Sequence, residues 1–583
     1  MRLETDHGGH RLIAKHYALT FPADRPFVYI EGADGTRIAE LFVLSGVHPI
    51  DGRDDTVSIE PWRVRQGPEE VEFCLRAASS AWDAKTYRFL CSPQGFAYEI
   101  EVEGPGRLAE VDYFGGYYSG HLRWGSGFFW SGQLFLLGFN PEPNAREVNY
   151  FAPASCSTIN LAGVPLPGRD DWFFTPPPFC FAFQAPEGWL GMGVEARPGE
   201  NRFVEARYNG QDAGFYLSLL YEGHTAVSGR YRLPRIGFYF APNEYQALVA
   251  HVDSLRAAGA VDPATALASA GPRWWQEPLF CGWGAQCALA RREEGRAPDY
   301  ARQSLYEEFL QTLEEHNLSP GTVVIDDKWQ LTYGQNEADP DKWPDLPGFV
   351  AAQHAAGRRV LLWLKAWDSE GVPAEECITN AGGLPIAVDP TNPAFEARLR
   401  AAVRRMLSPG GYDADGFKID FTARIPSGPA IRLHGDLWGL ELMKHYLWII
   451  HDEAKATKPD ALIIAHTTHP YLAGVVDMIR LNDINVDRNV LAAMTHRARV
   501  ARIACPEALI DADNWPIPDL ATWREYVRLQ PALGVPSLYY ASHIDATQEP
   551  LEAEDYRLVE EIWAQYRVRL APSPGQGHTR AEL

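Results

Sequence analysis

A lysine and an aspartate stand two residues apart in the apolar segment GFKID, residues 416–420. Side chains two positions apart on a β-strand point to the same face, so Lys418 and Asp420 share a direction if this segment is a strand. Burying two opposite charges is costly unless they pair with each other or meet a ligand. The segment therefore predicts either a structural ion pair or a strand end that presents catalytic groups.

Similar groups of polar residues follow five other apolar segments in the C-terminal half of the chain. They are DDKW at 326–329, KAWD at 365–368, HTTH at 466–469, RLND at 480–483 and DAD at 511–513. Carboxylates, cations and tryptophans that meet on one face suit a polyhydroxylated sugar, which needs hydrogen-bond acceptors, an aromatic platform and two carboxyl groups across the scissile bond. In such a site Asp420, held anionic with help from Lys418, suits a nucleophile, and Asp483 suits an acid/base.

The elements that must position these residues are eight short apolar segments that alternate with amphipathic helical stretches. The predicted strands are 279–282, 322–326, 359–364, 416–420, 461–465, 478–481, 508–510 and 537–540. Helical stretches between them include 300–316, 394–407 and 437–456. Such alternation over roughly 270 residues fits a (β/α)8 TIM barrel. A doubly wound sheet is the alternative, but CGWGAQ at 281–286 lacks the phosphate-binding turn GxGxxG.

The N-terminal half has a different pattern, with short alternating apolar segments separated by Gly, Pro, Asp and Asn. This pattern predicts an antiparallel β-sandwich, and the aromatic stretch 124–130 and the Pro-rich stretch 175–179 are then either packed loops or rim loops that reach a neighbouring site. Apolar residues at helical spacing between 243 and 258, with Asn243 as the N-cap, predict a linker helix. We therefore expect a β-sandwich domain at 1–240, a helical linker at 241–270, a catalytic barrel at 271–570 and a tail at 571–583.

Composition limits the partners that the chain can have. A formal net charge of -23 and a pI near 5.2 oppose nucleic-acid binding, which needs basic patches. We find no signal-like N-terminus and no run of about 18 apolar residues, so we expect a soluble cytoplasmic protein without membrane contact. The 8 cysteines lack CxxC spacing, which indicates reduced thiols. A homo-oligomer remains open.

Several motifs resemble those of known glycosidases. IDDKW at 325–329 resembles the IDDGW motif of glycoside hydrolase family 36 and the related raffinose synthases. KID at 418–420 resembles their K-x-D nucleophile motif, and NDIN at 482–485 resembles the SDN acid/base motif of α-galactosidases. FKIDFTARIP at 417–426 is equally similar to the FKTDFGERIP stretch of bacterial α-xylosidases in family 31. The sequence thus resembles the clan of retaining α-glycosidases, with motifs between about residues 270 and 540.

The resemblance implies a β-sandwich followed by a barrel, and an enzyme that hydrolyses O-glycosyl bonds with retention of configuration. It implies that Asp420 is the nucleophile and Asp483 the acid/base of a double displacement. The expected substrate is an oligosaccharide or other glycoside, most closely an α-galactoside, and no cofactor is expected. Members of the same clan offer alternatives, namely an α-xylosidase, an α-glucosidase or a transglycosidase, in which a sugar hydroxyl replaces water.

The resemblance also implies a set of substrate-binding residues. Asp326 and Asp327 match a pair that accepts hydrogen bonds from sugar hydroxyls, and Lys418 matches a lysine that donates to them. The remaining members stand at aromatic positions near the glycone, before the acid/base, or at the ends of the first and third strands. They are Trp283, Trp329, Trp363, Lys365 and Arg480. For Trp283, Trp363 and Trp367, packing inside the barrel is the alternative to sugar contact.

The sequence departs from these families in ways that leave the sugar open. Lys328 replaces the Gly of IDDGW, HTTH occupies the place of a Cys- or Gly-rich sugar-contacting loop, and we expect no separate C-terminal β-domain. Two other classes of protein remain as rivals. One is a metal-dependent barrel hydrolase with His466, His469 and Asp483 as ligands, which is disfavoured because the first strand ends in Gly-Trp-Gly rather than in a His pair. The other is a carbohydrate-binding protein without catalytic activity.

Overall fold

The structure, a computed structural model, describes most of the chain. The described residues are 1–115, 117–119, 122–124, 137–139, 176, 179–185, 187–211, 214–261, 271–481, 483–484 and 489–570. Several predictions fall outside them, namely those for residues 125–130, 175, 177–178, 262–270 and 571–583 and for Asn482 and Asn485 of the NDIN motif.

Antiparallel strands make up the N-terminal half. They are β1 Arg2–Asp6, β2 Gly9–Ile13, β3 Tyr17–Pro22, β4 Phe27–Gly32, β5 Arg37–Phe42, β6 Gly46–Pro49, β7 Thr56–Ile59, β8 Arg63–Gln66, β9 Val71–Ser79, β10 Ala84–Cys91, β11 Gly95–Glu103, β12 Gly106–Tyr113, β13 Tyr117–Ser119, β14 Leu122–Trp124, β15 Leu137–Phe139, β16 Cys180–Gln184, β17 Trp189–Glu195, β18 Glu205–Gln211, β19 Gly214–Val227, β20 Arg230–Arg232 and β21 Arg235–Ala241. The alternating apolar segments that predict a β-sandwich include 27–30, 96–102 and 215–221, and all three fall within these strands.

The strands form sheets whose inward faces share one hydrophobic core. A 5-stranded sheet has the order β1-β2-β3-β4-β5, and a 4-stranded sheet has the order β18-β19-β12-β6. The largest sheet runs β15-β16-β17-β21-β11-β10-β9-β7, with β20 beside β11 and β8 beside β9, and β13 pairs with β14 alone. Burial alternates along β9, and the rings of Phe21 and Phe73 stack at 3.9 Å in the core. The predicted N-terminal antiparallel β-sheet domain is confirmed.

A single helix connects the sheets to the second half. Helix α1, Glu244–Ala257, begins at Asn243, whose side chain accepts a hydrogen bond of 2.9 Å from the backbone N–H of Gln246. Such an N-cap satisfies one of the donors that a helix start leaves unpaired. Leu248 and Val252 are buried on the face of α1 that packs against β17.

The second half is a closed barrel of eight parallel strands. They are β22 Leu279–Cys281, β23 Thr322–Ile325, β24 Arg359–Lys365, β27 Gly416–Asp420, β28 Leu462–Ala465, β29 Met478–Arg480, β30 Leu509–Ala512 and β31 Val535–Leu538, while β25 Cys377–Thr379 and β26 Pro385–Val388 form a hairpin between the third and fourth of them. Each barrel strand lies within two residues of its predicted bounds. The predicted TIM barrel is confirmed, because strands buried on both faces are apolar throughout and are recognisable in the sequence.

Helices surround this barrel. They are α2 Trp283–Arg292, α3 Gln303–Glu315, α4 Leu346–Ala355, α5 Pro393–Leu407, α6 Gly439–Thr457, α7 Val490–Ala504, α8 Leu520–Leu533 and α9 Ala553–Leu570, with short 3-10 helices at Arg273–Gln276, Ala297–Tyr300, Ala374–Glu376 and Pro470–Leu472. In the described part of the chain, none of the helices combines the length and the apolar character that crossing a bilayer requires. The seven cysteines in that part have free thiols.

The N-terminal sheets contact the loop that follows β27. Glu222 on β19 accepts a hydrogen bond of 2.8 Å from the backbone N–H of Gly428, and Nε2 of His224 lies 2.9 Å from the carbonyl oxygen of the same glycine. The ring of His224 also stacks on Trp438 at 3.7 Å. Because this loop begins directly after Asp420, the sheet domain helps to hold the carboxyl end of the fourth barrel strand.

Candidate active site

Asp420 lies at the carboxyl end of β27, a strand that is buried along its whole length. Donors surround its carboxylate. Nε1 of Trp363 donates to Oδ2 at 3.1 Å, while the backbone N–H of Phe421 at 3.2 Å and Nε2 of His466 at 3.1 Å meet Oδ1. Burial opposes ionisation, but the guanidinium of Arg480 and the contact with His466 outweigh it and hold the pKa of Asp420 well below its usual range. Asp420 is therefore an anion.

Asp483 follows β29 and has the opposite electrostatic character. Its Oδ1 accepts a hydrogen bond of 2.6 Å from Nη2 of Arg480. Burial raises the pKa of Asp483 to about 6 and outweighs the attraction of Arg480, which lowers it, while the negative charge of Asp420 adds a smaller upward effect. Its side chain is 22% exposed, against 12% for Asp420, so it is the more accessible of the two. Two carboxyl groups in one site thus favour different protonation states, as acid/base chemistry requires.

Arg480 brings these two carboxyl groups together. Its Nη1 lies 3.6 Å from Asp420 and its Nη2 lies 2.6 Å from Asp483, so both groups contact the same guanidinium. Glycosidases place their two carboxyl groups about 5–9.5 Å apart, and contacts to neighbouring nitrogens of one side chain suit that range. Asp420 and Asp483 therefore lie on the same guanidinium, and their catalytic pairing stays a prediction.

Lys418 and Asp326 form a buried ion pair beside this gap. Nζ of Lys418 lies 2.6 Å from Oδ2 of Asp326, and both residues are only 2% exposed. The thiol of Cys281 donates to the same oxygen at 3.0 Å. Lys418 thus has Asp326 as its bonded partner, and Asp420 is held by Trp363, His466 and the backbone N–H of Phe421 instead.

Asp327 lies next to this pair and is only partly buried. The hydroxyl of Tyr333 donates to its Oδ1 at 2.8 Å, and burial raises the pKa of Asp327 to about 6. Two ammonium groups lie close to the Tyr333 ring, Lys328 at 4.1 Å and Lys365 at 4.2 Å from its centre. Lys365 also pairs with Asp368 at 2.8 Å. Tyr333 therefore connects the loops after β23 and β24 at the entrance to the site.

The tryptophans differ in what they can contact. Trp363 is buried beneath Asp420, to which it donates. Trp329 is 0% exposed, donates to the carbonyl oxygen of Trp363 at 2.8 Å and packs its ring edge-to-face on Tyr412, so the structure does not bring it to the cluster. Trp367 is also buried and donates to the backbone at 2.8 Å.

Trp283 is half-buried at the start of α2, just after β22, the strand that lies between β23 and β31 in the barrel. It packs edge-to-face on Trp515 with ring centres 5.7 Å apart. Nε1 of Trp515 points to Oδ2 of Asp545 at 3.3 Å, and burial raises the pKa of that carboxyl group. These two tryptophans form an aromatic wall of the site.

The predicted catalytic and substrate-binding set does not contain four residues that the structure brings to the site. They are Tyr333, His466, Asp513 and Trp515. His466 was considered only as a metal ligand and Asp513 only as a strand-end carboxylate, and both had a signal in their position after a barrel strand. Tyr333 and Trp515 lie in loops, where no periodic pattern identifies them.

The two histidines of the HTTH segment point to different places. His466 contacts Asp420, whereas His469 accepts a hydrogen bond of 3.1 Å from the backbone N–H of Tyr471 and packs its ring on Phe179 at 5.0 Å. The metal site considered from the sequence needs both histidines on one ion. Among the residues that the structure describes, no three His, Cys, Asp or Glu side chains are arranged to hold a metal.

A groove lies beside the site, between the loops after β24 and β27. Its volume is about 460 Å³, and its lining includes Lys365, Asp368, Ile386, Arg424 and Pro426. Lys365 therefore borders both this groove and the ring of Tyr333.

Comparisons by sequence give no match, either among protein-family models or among curated proteins. Solved structures do match. A GH31 family sulfoquinovosidase from E. rectale aligns with a TM-score of 0.56 and 12% identity over 98% of this chain and 83% of its own. An α-galactosidase from Thermus thermophilus, in complex with stachyose, aligns with a TM-score of 0.50 and 15% identity over 86% of this chain and 99% of its own.

These similarities concern the fold. They show that the chain shares the fold of these two proteins, an N-terminal antiparallel sheet domain followed by a (β/α)8 barrel. The resemblance that the sequence motifs predict is thereby confirmed at the level of the fold. What the residues of this chain do is a separate question, because one fold supports many chemistries.

Proposed function

We propose that this protein is a retaining α-glycosidase that acts by double displacement. The observation that carries the proposal is that one guanidinium, Arg480, contacts two carboxyl groups whose pKa values are shifted in opposite directions, Asp420 downward and Asp483 upward. A nucleophile must be ionised and an acid must be protonated at the same pH. The arrangement supplies both at the carboxyl end of barrel strands.

In the first step Asp420 attacks the anomeric carbon while Asp483 protonates the leaving oxygen. The C–O bond to the leaving group breaks, and an ester forms between the sugar and Asp420. In the second step Asp483, now ionised, takes a proton from water, and the water oxygen replaces Asp420 on the anomeric carbon. Two inversions leave the configuration of the sugar unchanged.

The groups around the two carboxylates are proposed to hold the sugar. Asp326 and Asp327 accept hydrogen bonds from its hydroxyls, and Lys418 donates to them from its place beside Asp326. Lys365 contributes a further cation at the entrance, and Trp283 offers a ring to an apolar sugar face. Trp363 acts through Asp420, because its indole N–H fixes that carboxylate.

An α-galactoside is the proposed substrate, with α-glucosides and α-xylosides as the alternatives within the same mechanism. We also propose that residues 1–240, 241–270 and 271–570 are functional units. The bonds from Glu222 and His224 to Gly428 support a role for the sheet domain in fixing the loop that follows the nucleophile.

The test is a panel of nitrophenyl α-galactoside, α-glucoside, α-xyloside and α-N-acetylgalactosaminide, with the products followed by proton NMR during the first minutes. We expect turnover of at least one substrate and the α-anomer of the free sugar as the first product. The Asp420→Asn variant is the matched control, since it keeps the shape of the site and removes the nucleophile. Absence of turnover on the whole panel, or a β-anomer as the first product, would contradict the proposal.

A further inference from the structure

Asp513 follows β30 and is 0% exposed. Its Oδ2 accepts a hydrogen bond of 2.5 Å from Nε of Arg480 and also contacts Nη2. Its Oδ1 accepts a hydrogen bond of 2.8 Å from the backbone N–H of Trp515, which fixes the rotation of the carboxyl group. Asp513 therefore holds one edge of the guanidinium in a set orientation, as two-point contacts to arginine do.

The two terminal nitrogens of the same guanidinium contact the proposed catalytic pair. Nη2 meets Asp483 at 2.6 Å, and Nη1 points to Asp420 at 3.6 Å and contacts His466. One cation thus stands among three carboxyl groups that come from β27 and from the segments after β29 and β30. Of the other cations in the described site, Lys418 is bonded to Asp326, and Nη1 of Arg497 donates to the backbone carbonyl oxygen of Asp483 at 2.9 Å.

We infer that Asp513 is a positioning residue. It fixes Arg480 so that one guanidinium contacts both the nucleophile and the acid/base, and it prevents Arg480 from pairing with Asp483 alone. The inference rests on the proposed function and concerns how the same site is tuned. Nothing in the sequence motifs assigns a role to Asp513.

Asp420, Asp483 and Asp513 compete for the one positive charge of Arg480. If Arg480 paired with Asp483 alone, the pair would favour the ionised acid, and Asp483 could not deliver a proton. Burial raises the pKa of Asp513 to about 6, so above that pH it is a second anion on the guanidinium, which weakens that pairing and repels a charge on Asp483. Burial and this neighbouring negative charge act in the same direction on the pKa of Asp483.

Other charged or titratable groups also face this cluster. They are Asp326, Lys418, Asp420, His466, Asp511 and Tyr539, with Cys287 from α2, Arg497 from α7 and Tyr526 from α8. Of these, Asp420 and His466 contact Arg480 directly, and Asp511 accepts a hydrogen bond from Ser537. Among the residues that the structure describes, only Asp513 bonds to both Nε and Nη2, so it is the group whose removal changes the orientation of Arg480.

The experiment is the pH profile of kcat/KM for wild type and Asp513→Asn on the best substrate of the panel. Without the Asp513 charge, Arg480 pairs more strongly with Asp483 and lowers the pKa of that acid. We therefore expect the alkaline limb to move to lower pH by about one unit, which corresponds to roughly tenfold lower activity on that limb. Asp513→Glu keeps the charge, and we expect it to keep the wild-type position of the limb while kcat falls. A purely structural role would move neither limb.

Asp415→Asn is the matched control for loss of a buried carboxylate. Asp415 is 1% exposed, precedes β27 at the amino end of the barrel, and bonds to His354 at 2.7 Å. We expect lower stability and an unchanged profile. An active wild type with an unshifted Asp513→Asn limb would overturn the role of Asp513 alone, as would failure of both Asp513 variants to fold. A wild type without glycosidase activity would remove the proposed function and this inference with it.

Discussion

Lys418 and Asp420 leave the same face of one strand, yet they do not form a bonded pair. The ammonium of Lys418 lies 2.6 Å from Asp326 on the second barrel strand, and Asp420 receives its hydrogen bonds from Trp363 and its own loop and meets the guanidinium of Arg480. The strand therefore presents two separate charged groups, a buried cation paired with Asp326 and a carboxylate held as an anion.

Replacing Asp420 by Gly tests the nucleophile. We expect kcat to fall by several orders of magnitude, because no other carboxylate is placed to form the ester. Added azide fills the space that the side chain leaves and attacks the anomeric carbon directly, which yields a β-glycosyl azide from an α-glycoside. Rates with and without azide, with NMR of the product, are the measurement. Near-normal activity in this variant would remove Asp420 from the mechanism.

Replacing Asp483 by Ala tests the acid/base through the leaving group. An activated nitrophenolate departs without a proton, whereas a sugar leaving group needs one. We expect the loss in kcat/KM to be about 10²–10⁴-fold for a disaccharide and much smaller for the nitrophenyl glycoside. Equal losses on the two substrates would argue that Asp483 has another role. Azide should here give an α-glycosyl azide.

The pH dependence of kcat/KM follows from the two pKa shifts. Activity needs ionised Asp420, whose pKa lies well below its usual range, so activity should persist as the pH falls to about 4. It also needs protonated Asp483, whose pKa is about 6, so activity should fall as the pH rises through that value. We expect an acidic optimum and a tenfold loss per unit above it. An optimum above pH 8 would not fit this assignment.

Two tryptophans from the predicted substrate-binding set should behave differently when replaced by Ala. Trp329 is fully buried, so its loss should lower the free energy of unfolding by about 3–5 kcal/mol and leave KM unchanged in the folded fraction. Trp283 is half-buried at the barrel mouth, so its loss should raise KM several-fold with a smaller effect on stability. Urea unfolding and steady-state kinetics on both variants distinguish the two roles. A raised KM for Trp329→Ala would contradict the placement of that ring.

The ion pair between Lys418 and Asp326 should be important for stability as well as for binding. Lys418→Met leaves the buried carboxylate of Asp326 without its cation, which costs about 3–5 kcal/mol in comparable buried pairs. Arg2→Met provides the comparison, because the contact of Arg2 with Glu4 is exposed and its loss should change stability little. The free energies of unfolding in urea test this directly. Similar small effects in both variants would show that Lys418 is not paired as described.

The sequence by itself determined the order of the elements, the barrel and the direction of the key side chains. Apolar runs long enough for a strand and polar residues at their ends are local properties, and the two-residue period of a strand sets the common face of Lys418 and Asp420 without reference to the rest of the chain. The carboxyl ends of barrel strands meet at one face, so Asp326, Asp420 and Asp483 could be grouped from their positions alone.

Only the tertiary structure decided which of these groups bond to one another. Closure of the barrel brings Lys418 to Asp326, a residue 92 positions away in the chain, and brings Asp513 to Arg480 across the gap between adjacent strands. Trp329 was expected at the sugar, but its ring turns into the packing beside Tyr412 because the loop after β23 folds back on Trp363. Partners at such separations depend on strand order and side-chain rotamers, and no local pattern in the chain encodes either.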